Sequence, residues 1–186
     1  MNNSDLSDKL KKIKLIIYDV DGVMTDGRII IGNHPNDELK HFNVKDGIGI
    51  KLLQKIGIKQ VILTGKQSEL VEKRFSHLGV DAIYQGKSNK VKTFEEIVAS
   101  FQIKPEEILT VGDDLPDLAL MMRSGVSITV KNAHPWLYDY VDYITQAKGG
   151  KGAVREISDM ILCAYDLKEK IIKDYIEFGE AKVNVL

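Results

Sequence analysis

The sequence is poor in everything that would tie it to a nucleic acid, a membrane or a disulfide scaffold. Its 26 basic and 27 acidic residues leave a formal net charge of −1, which supplies no basic surface for a polyphosphate partner or an anionic bilayer. A single cysteine, Cys163, excludes an internal disulfide framework and fits a reducing cytosol. Its neighbours Met160, Ile161 and Leu162 predict a buried, structural thiol. No apolar run approaches the roughly 20 residues that span a bilayer, and Met1 to Lys12 lacks the apolar core of a signal peptide. Internal repeats, low-complexity segments and linkers are missing too. What remains is a chain of 186 residues, 44% hydrophobic and 28% charged. That suits one domain, residues 1–186, with a single substantial core, expected to be soluble and cytoplasmic.

The chain is organised around Ile16-Ile17-Tyr18-Asp19-Val20-Asp21-Gly22. An apolar run from Leu15 to Tyr18 reads as a buried strand of a parallel sheet, and it stops at two aspartates and a glycine. In open α/β sheets ligands bind beyond the carboxyl ends of the strands. Crowded carboxylates there need positive charge between them, from a divalent cation or from cations that bind a phosphoryl group. The plainer reading is a turn that caps a helix. A calcium loop of the EF-hand type is excluded, because its fifth, sixth and twelfth positions would be Val23, Met24 and Ile30.

Downstream, strands alternate with helices. Arg28 to Ile31 and Glu38 to Val44 flank the turn-forming Gly32-Asn33-His34-Pro35-Asn36-Asp37 and predict a β-hairpin. Asp46 is expected to cap a helix reaching Ile56, with Ile48, Leu52, Leu53 and Ile56 on its apolar side and Gly57 as its terminator. Further strands are expected over Ile58 to Leu63, Asp81 to Tyr84, Glu107 to Val111, Val126 to Val130 and Tyr143-Ile144. Helices are expected over Gln67 to Leu78, Ser88 to Phe101, from after Asp117 to Arg123, over Ala133 to Tyr140 and over Ala153 to Ala164. Gly149-Gly150-Lys151-Gly152 reads as a mobile loop. Its glycines expose N–H groups at a helix entry, suited to an anion. Tyr165 to Leu186 reads as a charged helix with a short apolar end, either a solvated tail or a lid that crosses to a neighbouring subunit. Trp136 is expected in the core. His34, His41, His77 and His134 lack metal-ligand spacing, which favours surface or packing roles. The alternation predicts a doubly wound parallel α/β sheet.

Three apolar strands thus end in polar clusters, at Asp19/Asp21, Thr64 and Asp113/Asp114/Asp117, and Lys90 opens a helix that can reach the same rim. In order and spacing these four clusters resemble the motifs of the haloacid dehalogenase (HAD) superfamily of phosphotransferases. Longer strings, Val23-Met24-Thr25-Asp26-Gly27, Val44-Lys45-Asp46-Gly47, Tyr84-Gln85-Gly86 and Gly149 to Glu156, are similar to the branch that hydrolyses 3-deoxy-D-manno-octulosonate (KDO) 8-phosphate in lipopolysaccharide precursor synthesis. The resemblance departs at Lys66 and Lys45, where arginine is common. Lysine keeps the charge but loses the planar fork.

The resemblance implies a HAD-like Rossmannoid domain, with a small hairpin insertion over about Gly27 to Lys45 and no cap domain. It implies Mg2+ held by Asp19, Asp21 (through its backbone carbonyl) and Asp113. Asp19 is then the nucleophile that forms an aspartyl-phosphate, and Asp21 the general acid and later base. Free aspartate titrates near 3.9, so Asp21 must be raised to hold a proton at neutral pH. Thr64 and Lys90 bind phosphoryl oxygens, while Asp114 and Asp117 orient metal waters and the Lys90 ammonium. Lys45, Lys66, Gly150 and Arg155 are the expected substrate contacts, although Lys66, like Lys87 and Lys131, also reads as simply solvated. With no cap, cover for the site must come from elsewhere, neighbouring subunits being the simplest source, and the resemblance implies a homotetramer; an isolated hairpin is marginal in water and favours pairing between subunits. Two alternatives stay open: the same chemistry on a nine-carbon sugar-acid phosphate, and a non-catalytic tetramerisation module like those fused to sialic acid synthetases.

Overall fold

The structure, a computed structural model, describes residues 3–33 and 38–183. The expected hairpin turn at His34 to Asp37 and the apolar end Asn184 to Leu186 lie outside them. Six strands form one parallel sheet in the order β5-β4-β1-β6-β7-β8. They are β1 (Leu15–Tyr18), β4 (Lys59–Leu63), β5 (Ala82–Tyr84), β6 (Ile108–Gly112), β7 (Val126–Thr129) and β8 (Tyr143–Ile144). From β1 the chain first builds β4 and β5 on one side and then β6, β7 and β8 on the other. The first strand therefore sits where the winding reverses, which is where such sheets open a crevice.

The strands are apolar on both faces because both faces are covered. Ile16 and Tyr18 pack into the larger core with α1 (Asn3–Leu10), α2 (Val44–Lys55), α3 (Glu69–Leu78) and α6 (Ala153–Ala164). Leu15 and Ile17 face the smaller core, formed with α4 (Lys90–Phe101) and α5 (Leu115–Met121). The hairpin is shorter than expected: β2 (Ile30–Ile31) pairs with β3 (Glu38–Leu39), and Val44 already belongs to α2.

Four sequence expectations are corrected. Asn43, not Asp46, caps α2, its Oδ1 accepting from Lys45 N at 2.9 Å. Ile48 is 41% exposed, because the buried stripe of α2 runs through Asp46, Gly47, Gly49, Ile50 and Leu53, and counting large apolar residues misses its glycines. A Cβ on Gly49 would lie 2.5 Å from Ser158 Oγ of α6, so these two helices touch backbone to side chain. Cys163 is exposed, since the α6 stripe is Val154, Ile157, Ser158, Ile161 and Leu162. Trp136 is 68% exposed, and its neighbour Leu137 enters the core instead.

The segment after α6 does not lie free in solvent. In α7 (Lys168–Phe178) Ile171 is buried, and beyond it Ala181 and Val183 join the larger core. Lys55 of α2 donates to Ala181 O at 2.5 Å. The glycine-rich loop is likewise packed rather than free: Gly149 N donates to Asn132 Oδ1 at 2.8 Å and Gly150 N to Val23 O at 2.9 Å.

Released from capping its own helix, Asp46 caps another. Its Oδ1 accepts from Arg155 N at 2.8 Å, in the first turn of α6, where Gly152 offers no side chain. Its Oδ2 has no partner among the described residues, and burial pushes its carboxyl up to about 6 against the pull of the α6 N–H groups and Arg74. An unfolded aspartate titrates near 3.9. The folded state therefore binds the proton more tightly, and that stabilisation is full below about 4 and lost as pH rises through 6. Asp46→Asn should remove this dependence. In urea titrations the variant should gain on the wild type by on the order of 2–3 kcal/mol between pH 4 and 7; a constant difference would refute the buried-acid assignment.

Candidate active site

Register brings the polar clusters to one rim. Tyr18 pairs with Ile62 of β4 and with Val111 of β6, so Asp19, Thr64 and Asp113 leave adjacent strands within two residues of those pairs. Asp19 N donates to Val111 O at 3.0 Å, which carries the pairing one step past the strand. The chain then turns: Met24 N and Thr25 N both return to Val20 O, at 2.9 and 3.0 Å, and Thr25 Oγ1 accepts from Gly22 N and Gly27 N at 3.3 Å each.

Lys90, the first residue of α4, is the centre of charge. Its side chain is 8% exposed, and its ammonium lies 2.5 Å from Asp19 Oδ1 and 2.6 Å from Asp117 Oδ1. Asn89 sets that first turn by capping Lys92 N at 3.1 Å. Asp117 Oδ2 accepts from Asp113 N at 3.2 Å, which ties the loop after β6 to α5. Asp114 points elsewhere and caps α5, accepting from Leu115 N at 2.7 Å. Carboxylate oxygens of Asp19, Asp113 and Asp117 all lie within 4.8 Å of one another.

Three acids against one lysine leave a charge deficit. Burial, and then Asp117, push the Asp19 carboxyl up, although Lys90 pulls the other way. Burial with Asp117 and Asp114 pushes Asp113 up to about 7. Burial opposes the charge of Lys90, yet Asp19 and Asp117 outweigh it and hold the ammonium above the usual lysine range. A divalent cation would make up the deficit, and all-oxygen donors suit a hard ion of the magnesium type. The backbone fits that purpose. Gly22 has φ +102°, and a Cβ there would lie 1.9 Å from Asp113 Oδ2, so the carboxylate of one motif rests directly on the turn of the other.

Asp21 faces a different partner. Its Oδ1 accepts from Lys40 Nζ at 2.6 Å, and the same ammonium lies 3.3 Å from Glu38 Oε1. Ser68 Oγ in turn donates to Glu38 Oε2 at 2.7 Å. The sequence reading passed over Lys40. The signal was strand alternation, which puts Glu38 and Lys40 on one face of the hairpin.

Thr64 is buried, and Lys66 beside it is exposed with its N donating to Thr64 Oγ1 at 3.3 Å. Lys45 and Arg155 do not join the acidic cluster; together with Lys151 they line a separate groove along α6. The Gly150 N–H expected to receive an anion is bonded to Val23 O at 2.9 Å, so this loop braces the first motif. His41 and His77 are exposed, and His134 Nδ1 accepts from Trp136 N at 3.4 Å; His34 lies outside the described residues.

The chain is similar to known proteins over most of its length. Residues 72–157 match the family described as haloacid dehalogenase-like hydrolase. The chain is 45% identical over 165 residues to the KDO 8-phosphate phosphatase of Yersinia pestis, covering 89% of this chain and 88% of that one. The KDO 8-phosphate phosphatase of Moraxella catarrhalis, solved with magnesium, phosphate and KDO, superposes with a TM-score of 0.89 at 36% identity over 92% of this chain and 98% of that one. The cobalt-bound deoxy-D-mannose-octulosonate 8-phosphate phosphatase of Haemophilus influenzae gives 0.86 at 34% identity, over 92% and 99% of the two chains.

Gly22→Ala tests the contact between the two motifs. The new methyl must displace Asp113, so magnesium affinity measured by calorimetry should fall about 10–100-fold with the circular dichroism spectrum unchanged. Wild-type affinity in the variant would show that Asp113 has no part in holding the ion.

Proposed function

The chain belongs to the haloacid dehalogenase-like hydrolases, and we propose that it is a magnesium-dependent phosphatase converting KDO 8-phosphate to KDO and inorganic phosphate. The observation that carries the chemistry is the triangle of Asp19, Asp113 and Asp117, with the Lys90 ammonium held between Asp19 and Asp117. The substrate follows from the 45% identity to the Yersinia pestis phosphatase over nearly the whole of both chains.

Asp19, the backbone carbonyl of Asp21 and Asp113 would hold magnesium, whose charge lets an anionic carboxylate meet an anionic phosphoryl group. Asp19 attacks phosphorus, and the P–O bond to the sugar breaks as Asp21 protonates the departing oxygen. Asp21 then takes a proton from water, which attacks the aspartyl-phosphate and frees inorganic phosphate. Lys90 and Thr64 bind the phosphoryl oxygens and the charge that builds on them. Asp117 keeps the Lys90 ammonium aimed at Asp19. Lys66, exposed just beyond β4, would meet the sugar acid. Lys45 and Arg155 would reach it only from their own groove, and Gly150 acts through the turn it braces.

The domain is expected to span residues 1–186 and to work in the cytoplasm as a homo-oligomer, a tetramer by the resemblance. Ile29, Ile30 and Leu39 support assembly, since the hairpin exposes all three, at 69%, 40% and 59%, and apolar surface of that kind marks contact with another chain. No helix among the described residues is long and apolar enough to cross a membrane.

Asp19→Asn should reduce turnover to background on every phosphomonoester while the protein stays folded. Asp21→Asn should cost about 100-fold or more on KDO 8-phosphate and clearly less on an aryl phosphate, whose leaving group needs no proton. Equal losses on the two substrates would remove Asp21 as the acid. A metal chelator should stop the wild-type reaction and magnesium restore it, and full activity in excess chelator would sink the mechanism. Rates on KDO 8-phosphate, a nine-carbon sugar-acid phosphate and an aryl phosphate, measured side by side, decide the substrate.

A further inference from the structure

The β2–β3 hairpin is built inside out. Leu39, its apolar residue in β3, is 59% exposed, whereas the side chain of Lys40 on the opposite face is 7% exposed. A buried ammonium is unfavourable unless it is paired. Lys40 is paired twice, with Asp21 at 2.6 Å and Glu38 at 3.3 Å. Glu38 is held in turn by Ser68 Oγ at 2.7 Å, and Ser68 is itself buried at the start of α3. A run of contacts thus leads from α3 through the hairpin to the residue that handles the leaving group's proton. Lys40 pairs with Asp21 and Glu38 and not with the cluster around Asp19, whose ammonium is that of Lys90.

We infer that Lys40 recognises the leaving group, its ammonium passing from Asp21 to the hydroxyl on the carbon next to the esterified one as substrate enters. This rests on the reading of Asp21 as the group that protonates the departing oxygen. Such an oxygen must come within about 2.6–3.2 Å of the Asp21 carboxylate, and Lys40 Nζ already lies 2.6 Å from it. The two therefore occupy one shell around one small group, and the atoms attached to the leaving oxygen are the next that the ammonium meets. KDO 8-phosphate carries a hydroxyl on the neighbouring carbon, as does any phosphate of a terminal glycol; an alkyl or aryl phosphate does not. Glu38 and Ser68 are positioning residues that hold the ammonium where this exchange takes place. The substrate class assigned to the site is a primary phosphate of a polyhydroxylated chain.

The test compares glycerol 3-phosphate with propyl phosphate, which differ in hydroxylation while sharing a primary alkyl leaving group, and adds KDO 8-phosphate and an aryl phosphate. The wild type should prefer glycerol phosphate over propyl phosphate in kcat/KM by about 10–100-fold, the worth of one hydrogen bond to a charged donor. Lys40→Met should collapse that ratio toward one, and its loss on KDO 8-phosphate should exceed its loss on the aryl phosphate by about tenfold or more. Lys40→Arg should restore part of the ratio, and Ser68→Ala should shift it in the direction of Lys40→Met by a smaller factor. A lysine that merely fastens the hairpin to the body would lower all four rates together, and that result overturns the inference. So does a wild type with no preference between the glycerol and propyl esters, a measurement that needs no variant to fold. If the wild type ignores KDO 8-phosphate yet shows the Lys40-dependent glycerol preference, the substrate proposed above is wrong and the role of Lys40 stands.

Discussion

The mutual repulsion of Asp19, Asp113 and Asp117 is the constraint on which the site depends. Their oxygens are held within 4.8 Å of one another, in a place where burial already disfavours charge. Water cannot relieve this, so the relief is built in: Lys90 lies between two of the acids, and the remaining deficit marks the place for a cation. Holding like charges this close requires a scaffold that cannot relax. Three adjacent parallel strands, with register fixed at Tyr18, Ile62 and Val111, provide it. Their side chains are locked into two cores, and each fully buried Ile or Leu contributes roughly 1.5–3 kcal/mol to keeping the strand ends in place.

Around this centre a second tier of contacts fixes the turn after β1. The glycine-rich loop bonds to Val23 O at 2.9 Å, and that loop leads into α6, whose first turn is capped by Asp46 from α2. The buried acid of α2 thus helps to determine where the first motif sits, without approaching the chemistry. The hairpin completes the set from the other side by carrying Lys40 onto Asp21. Asp19 and Asp21, two residues apart, consequently live in different electrostatic settings: one is shared with Lys90 and the acidic cluster, the other faces the Lys40 ammonium that the hairpin carries.

Much of this was legible in the residues. Apolar runs that stop at Asp, Thr or Gly-Asp-Asp report a buried parallel strand whose end is functional, and β1, β4 and β6 fall where those runs lie. Glycine at a helix end was equally readable, as at Gly57, which takes φ +86°. Failures came where a residue's fate depends on a face. Cys163 and Ile48 have apolar neighbours in sequence but sit off the buried stripe of their helices, while Gly47 and Gly49 lie on it. Asp46 has the composition of a cap and is one, but for a helix that begins more than a hundred residues later.

The sequence alone determined the order of elements and the chemical character of each strand end, because these follow from local periodicity and from which side chains close each apolar run, and the reaction class came with the resemblance of those strand ends to a known set of motifs. Only the tertiary structure decided which charged groups meet. Lys90 lies 71 residues from Asp19 and 27 from Asp117, and Lys40, carried by the hairpin, meets Asp21 in the turn after β1. Nothing in the composition of a lysine says whether it will be solvated, like Lys66, or withdrawn from water between carboxylates, like Lys40 and Lys90. That choice depends on whether the fold delivers partners close enough to outweigh the loss of hydration, and distance in space is set by strand register and helix packing rather than by separation along the chain.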